Sequence, residues 1–317
     1  MTLSDFHNPV LLTEVLEWLN IEPRDLIADM TFGGGGYSRA ILKELGEEGS
    51  LVAFDRDKEA VDRGRVLFSE EPRLTIHHTP FSQASDFLAL HSPDGHDGAV
   101  FDLGVSSHQL DEAERGFSFR QDGPLDMRMN PDSSGLSAAD VVNGKSVAEL
   151  TKIFRDYGEE RRARPVAKAI ESRRKETSFT RTLDLANVVE RVVGRPKMKN
   201  RAVTPKHPAT RCFQALRIAV NDELGELKTG LSKALESASL GARVAVVSYH
   251  SLEDRIVKNF FLDMSGRCHC PRRQPVCTCE PRNEVKILTR KAIKPGAEEI
   301  ERNRRARSAI LRVVEKI

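Results

Sequence analysis

The chain is 317 residues long, 30% charged and 39% apolar, with a net charge of +2. That describes a soluble globular protein with room for one large domain or two smaller ones. No apolar run reaches the ~18–20 residues that cross a bilayer, and Met1 to Pro9 holds an acid but no basic region, which argues against a membrane span and a signal peptide. The expected location is the cytoplasm, where the five cysteines are reduced thiols or metal ligands rather than a disulfide framework.

A helix-like stretch, Val10 to Leu19, leads into strand candidates Leu26–Met30, Leu51–Asp55, Leu74–His78 and Ala99–Leu103. The segments between them, Tyr37–Leu45, Lys58–Phe68 and Ser82–Leu90, have helical spacing. Strands alternating with helices predict right-handed βαβ units in a parallel sheet. After Gly104 the pattern turns helical. Ser146-Val147-Ala148-Glu149 reads as a capping box ahead of Leu150, Ile153 and Phe154, and a second helix carrying Leu185, Val189 and Val192 stops at Gly194. Pro196, Pro205 and Pro208 mark a loop. From Phe213 to Leu235 apolar residues step by three or four, which predicts one long amphipathic helix. Val244–Tyr249 is a buried-strand run, Ser251-Leu252-Glu253-Asp254 caps a further helix, and Val285–Leu288 and Ile310–Val314 are the last strand candidates. There is no internal repeat. The simplest architecture is a doubly wound α/β domain over residues 1–112 and 206–317, interrupted by an all-helical insert over 113–205.

Two stretches are locally basic. Glu190 to Arg217 holds eight Lys/Arg and one acid, and Arg290 to Arg312 holds eight against three glutamates. Such patches suit a phosphate backbone or form a solvated face.

Asp29-Met30-Thr31-Phe32-Gly33-Gly34-Gly35-Gly36 follows the first strand and opens the first βα helix. Glycines there let the backbone turn sharply and approach a ligand where a Cβ would collide. Asp55 ends the second strand, placed to accept both hydroxyls of an adenosine ribose; its other reading is a capping cluster with Arg56 and Asp57. A nicotinamide dinucleotide fits the same pieces. However, open α/β sheets bind ligands outside the carboxyl ends of their strands, so Asp29, Asp55, Phe81 and Asp102 are expected to converge there. Three acids favour a ligand with a sulfonium and an α-ammonium over a diphosphate, which points to S-adenosylmethionine.

With Asp102-Leu103-Gly104-Val105-Ser106-Ser107 in view, the chain resembles the bacterial 16S ribosomal RNA (cytosine-N4)-methyltransferase family. The likeness runs nearly end to end. It is carried by His7-Asn8-Pro9-Val10-Leu11-Leu12, Asp29 to Tyr37, Asp102 through Gln109, Glu114 to Phe119 and Gly123 to Met129. Tyr157-Gly158-Glu159-Glu160-Arg161, His207 to Arg211, and Ser248 to Arg255 continue it. The resemblance implies a Rossmann-like class I methyltransferase sheet with an all-helical inserted domain that recognises RNA. It implies S-adenosylmethionine as cofactor and a decoding-centre cytidine of the small-subunit RNA, or of the 30S particle, as substrate, with a homodimer as a candidate assembly. Cofactor contacts are implied at Gly35, Gly36 and Tyr37, Asp55 at the ribose, Phe81 beside the adenine, then Asp102 and Gln109. Two positions depart from the family's pattern, Tyr37, where a histidine is common, and Gly34, where the family tolerates bulkier residues; neither is expected to disturb backbone contacts.

Cytosine N4 is a poor nucleophile because its lone pair is delocalised into the ring, so the site must align it and accept a proton as charge develops. Related enzymes do this with an Asp/Asn-Pro-Pro-aromatic turn, which here reads Asp102-Leu103-Gly104-Val105. Asp102 and the carbonyls of its turn are the expected acceptors; its other role is to hold the cofactor alone. His250 lines the base pocket or is structural, and Phe117, Phe119 and the residues near Arg128 form a base clamp or the core of the insert. The loop from Arg195 to Arg211 is the expected phosphate grip. Cys268-x-Cys270 and Cys277-x-Cys279 could hold zinc as a Cys₄ site, a reduced loop being the default and no metal being assigned; Cys212 is expected in the core. The competing functions are methylation of another nucleic acid, a nicotinamide oxidoreductase, and a non-catalytic RNA-binding assembly factor.

Overall fold

Leu26 to Asp29 are buried along their whole length, as expected of a strand covered by helices on both faces. In the computed structural model, which describes residues 9–195, 207–267, 274, 276 and 282–317, this strand lies inside the sheet, with a strand paired to it on either side. The chain runs α1 (Leu12–Leu19), β1 (Leu26–Asp29), α2 (Gly36–Glu44), β2 (Ser50–Asp55), α3 (Lys58–Leu67), β3 (Leu74–His78), α4 (Ala84–His91) and β4 (His96–Asp102). Six helices follow: α5 (Ser107–Asp111), α6 (Ala138–Gly144), α7 (Val147–Asp156), α8 (Ala163–Arg174), α9 (Thr182–Val193) and α10 (Thr210–Asn221). The α/β pattern then resumes with α11 (Glu223–Glu236), β5 (Ala238–Ser248), α12 (Ser251–Met264), β6 (Val285–Ile287), α13 (Ala297–Arg302) and β7 (Ile310–Lys316).

All seven expected strands form one sheet, in the order β3-β2-β1-β4-β5-β7-β6. Strands β1 to β5 pair in parallel, whereas β7 runs against both β5 and β6. The chain leaves β3 at one edge and returns beside β1 as β4, so the order reverses between β1 and β4. Beyond the carboxyl ends of such strands a crevice opens. One face of the sheet buries Phe54, Phe101 and Val246 with Leu88, Leu231, Val257 and Phe261. The other buries Ile27, Val100 and Val247 with Val15, Ile41 and Ala306.

The described chain divides into two units, Met1–Gly104 with Leu224–Ile317, and Val105–Glu223. Among its described residues the second unit has helices and loops but no named strand, around a core of Phe154, Ile170, Phe179, Leu185 and Leu216. The capping box of Ser146 and Glu149 opens α7, and Gly194 at φ 78° ends α9. The single helix expected from Phe213 to Leu235 is two. Asp222 adopts a left-handed conformation, φ 46°, after Asn221 has turned its amide onto Met127 O and its oxygen onto the Met129 N–H, each at 2.8 Å. That break leaves α10 in the helical unit, with Cys212, Phe213 and Ala215 in its core. The unit therefore begins near 105 and ends near 223. No helix among the described residues is long and apolar enough to cross a membrane.

Candidate active site

The turn after β1 is built from close approaches. Phe32 N–H donates to Phe54 O at 2.8 Å and Gly35 N–H to Phe32 O at 2.7 Å. Gly33 and Gly35 have φ of 53° and 74°, a region that side chains rarely adopt. A Cβ on Gly35 would lie 2.8 Å from the Phe68 ring and 2.9 Å from that of Phe32, whereas one on Gly34 would meet nothing within 4 Å. The turn is thus closed behind Gly35 and open at Gly34. Gly36 and Tyr37 form the first turn of α2, whose earliest N–H groups have no intrahelical partner.

The three acids expected at this edge are present, but they do different things. Asp29 is fully buried; its Oδ2 accepts from Ser38 Oγ at 2.6 Å and its Oδ1 from Thr31 N–H at 3.2 Å. Burial pushes its carboxyl up to about 6, against those hydrogen bonds. It ties β1 to α2 and offers no surface to a ligand, so the expected contact with a cationic group is replaced by a supporting role. Asp55 ends β2 and is only half-buried. Its Oδ2 accepts from Gly33 N–H at 2.7 Å and its Oδ1 from Asp57 N–H at 2.8 Å; Asp57, not Asp55, caps α3. Loss of solvent raises the Asp55 carboxyl to about 6, opposed by the Asp57 and Gly33 donors.

Asp102 ends β4, one strand across. Its N–H donates to Thr31 Oγ1 at 2.6 Å and its Oδ1 accepts from Tyr249 Oη at 2.7 Å. Burial raises its carboxyl to about 7, the Tyr249 bond pulls it back, and the Asp29 and Glu253 charges add to the rise. Burial holds the Tyr249 phenol well above its ordinary range, Asp102 adding to the effect, so this phenol remains a donor. Gly104 follows at φ 102°.

The Tyr37 hydroxyl donates to Val10 O and its ring lies in the core, which leaves only its backbone to a ligand. Phe81 begins the turn after β3; its ring meets Phe101 edge-on at 5.4 Å and rests on α11, where a Cβ on Gly230 would lie 2.3 Å from it. Gln109 belongs to the helical unit, where it closes the capping box of Ser106 with bonds of 3.0 and 3.2 Å. His250 caps α12, its Nδ1 accepting from Glu253 N–H at 3.3 Å; the capping side chain is thus that of His250 rather than Ser251. Phe117 is buried in the helical core and Phe119 packs on Phe213 at 4.6 Å, while Arg128 is held by Asp126 at 2.7 Å. Phe117 is thus a core residue of the helical unit with Phe119 packed against that core, while Arg128 forms a partly exposed ion pair. Cys268, Cys270, Cys277 and Cys279 lie outside the described residues, as does most of the Arg195–Arg211 loop. Cys212 is buried, which pushes its thiol up.

Sequence reasoning missed Tyr249, Thr31, Ser38 and Gly230. Gly230 carried a signal: a glycine inside a helical pattern costs about 1 kcal/mol against alanine, a cost that a close approach explains. The other three are recognised only from their partners.

A sheet in this order with a reversed seventh strand, a glycine turn after β1 and acids at the ends of β2 and β4 define a class I methyltransferase. The chain belongs to the MraW methylase family, whose profile matches residues 4–317. Its relatives named ribosomal RNA small subunit methyltransferase H include that of Caldicellulosiruptor saccharolyticus, 48% identical over 98% of this chain and 99% of the relative. That of Clostridioides difficile is 46% identical over 99% of this chain and 100% of the relative.

Proposed function

We propose that the chain transfers the methyl group of S-adenosylmethionine to the exocyclic N4 of a cytidine in the decoding centre of small-subunit ribosomal RNA, with the helical unit recognising the RNA. The substrate class follows the relatives' names and the base follows the end-to-end resemblance. The observation that carries the chemistry is Asp102. It stands where the strand order reverses, one oxygen engaged by Tyr249 and the other unused by any described protein group, beside the Gly104 turn.

The residues present suit the cofactor. The Gly33–Gly35 turn takes a left-handed course at Gly33 and Gly35 and is open at Gly34, which lets its backbone approach a ligand. The N–H groups of Gly36 and Tyr37 at the start of α2 suit a carboxylate. Asp55 keeps lone pairs beyond those given to Gly33 and Asp57, since a carboxylate accepts about four hydrogen bonds, and these suit the ribose hydroxyls. Phe81 offers an apolar ring to adenine. When bound, the cofactor supplies a methyl group activated by its sulfonium. Asp102, when ionised, accepts an N4 hydrogen, which orients the amine and draws off the proton as charge develops. The assay is methyl transfer to small subunits lacking the modification, with the product nucleoside identified by mass spectrometry. N4-methylcytidine is expected; a methylated carbon, another base or another RNA overturns the proposal.

Gly230→Val drives a side chain into the Phe81 ring. The expected result is cofactor affinity reduced ~10-fold or more, the order of a displaced ring contact, in a protein that still melts cooperatively. Unchanged affinity in calorimetry removes Phe81 from the adenine site.

Tyr249→Phe tests the pairing with Asp102. Asp29 and Glu253 push the Asp102 carboxyl up and the Tyr249 hydroxyl holds it down. Deleting the hydroxyl therefore favours the protonated carboxyl, and the acid limb of kcat/KM, which reports the free enzyme, moves to higher pH. A side chain that only fills space leaves the limb where it was.

A further inference from the structure

The antiparallel course of β7 puts its first residue, Ile310, opposite Ser248 at the carboxyl end of β5. That is the edge of the sheet where Asp102 and Tyr249 meet. Two segments are brought there with it. Ile293 pairs with Leu311 through N–H···O bonds of 3.1 and 2.9 Å, which pins Arg290 to Lys294 to the start of β7. The short turn Arg304–Ser308 enters β7 directly, anchored by the buried Ala306 and Ala309 and by Asn303, whose side chain accepts from Arg305 N–H at 3.0 Å. Glu299 on α13 accepts from Leu11 N–H at 2.7 Å, next to the Val10 carbonyl that receives the Tyr37 hydroxyl. The whole basic stretch is therefore tied, by its own backbone, to the rim of the cofactor edge.

Arg290, Lys291, Lys294, Arg304 and Arg307 are exposed there, and none has an ion-pair partner among the described residues. The carboxylates of the stretch are mostly committed: Glu298 faces Arg302 at 3.8 Å and Glu299 holds Leu11, leaving Glu301. Arg312 is spent on Asp254 at 2.7 Å. A rim of exposed cations that outnumbers the free carboxylates beside it is matched by a run of phosphates.

We propose that this rim, Arg290 to Lys294 with Arg304 to Arg307, grips the phosphodiester backbone of the RNA whose base enters beside Asp102. The inference rests on an RNA substrate and adds the surface that holds it. A backbone grip carries no sequence information; it fixes where the strand lies, so that the reacting base reaches the acceptor.

The test is the full-length triple variant Lys294→Ala/Arg304→Ala/Arg307→Ala, with Lys43→Ala as a control at the far end of α2. Binding of small-subunit RNA is measured by fluorescence anisotropy over a range of salt, and cofactor affinity by calorimetry. Loss of three phosphate contacts flattens the slope of log K against log salt by about 2 to 3 and weakens binding ~10-fold or more at low salt. Cofactor affinity and the Lys43→Ala control stay at the native value. A triple variant with native RNA affinity and native salt slope overturns the rim. Because this readout is binding, it is separable from the function itself: a wild-type chain that binds the RNA through the rim but methylates no cytidine sinks the proposed reaction and leaves the rim standing.

Discussion

Asp102→Asn is expected to leave a folded protein whose methyl transfer has fallen by ~10²- to 10⁴-fold, the range in which a positioned general base acts. Asparagine keeps the shape of the side chain, and its oxygen still accepts the Tyr249 hydroxyl, so the 2.7 Å contact survives. What is lost is the charge. The second oxygen becomes an NH₂ group that meets the N4 amine donor to donor, and nothing at the end of β4 is left to draw off the proton. Stability is not expected to suffer, because desolvation already holds this carboxyl up to about 7, and a neutral amide is easier to bury than a carboxylate. The measurements are single-turnover rates on small subunits, calorimetry with the cofactor, and the thermal midpoint. A variant that keeps kcat but loses cofactor affinity assigns Asp102 to binding alone and removes it from the chemistry.

Asp55→Ala is expected to weaken cofactor binding ~10²- to 10⁴-fold, since two hydrogen bonds to a charged acceptor are each worth about 1.5–3 kcal/mol. Part of the loss is indirect, because Asp55 also holds the Gly33 N–H at 2.7 Å and so shapes the glycine turn. A cofactor analogue lacking the ribose hydroxyls separates the two. The wild-type chain should discriminate strongly against the analogue, and Asp55→Ala should bind both forms alike. Continued discrimination by the variant places the hydroxyls on another group. The sign with pH follows from the same carboxyl: it is raised to about 6 by desolvation, and only its ionised form accepts two hydroxyl donors, so affinity falls as pH drops through that value.

The strands were legible because of where they lie. A parallel strand covered on both faces must be apolar throughout, so Leu26–Asp29 and the buried part of β5 announce themselves as short apolar runs. Helix ends were legible where a side chain does the capping, as at Ser146, or where glycine ends the helix, as at Gly194. The break at Asp222 was not, because the apolar period runs through it and the contact beside it is distant in sequence: the side chain of Asn221, the last residue of α10, bonds to Met127 and Met129. Likewise Asp29 reads as a ligand-facing acid from its place before the glycines, while its burial against Ser38 depends on how α2 packs.

By itself, then, the amino-acid order determined the sheet, the glycine turn, and the presence of acids at the ends of β1, β2 and β4. These rest on local rules: the period of the apolar residues, the φ freedom of glycine, and the fact that a strand's last residue points to a sheet edge. Only the tertiary structure decided which acid faces outward, that Tyr249 holds Asp102, that Gly230 seats Phe81, and that the basic stretch before β7 borders the site. Each of these joins residues many tens of positions apart, and a contact of that range is fixed by packing rather than by any pattern along the chain.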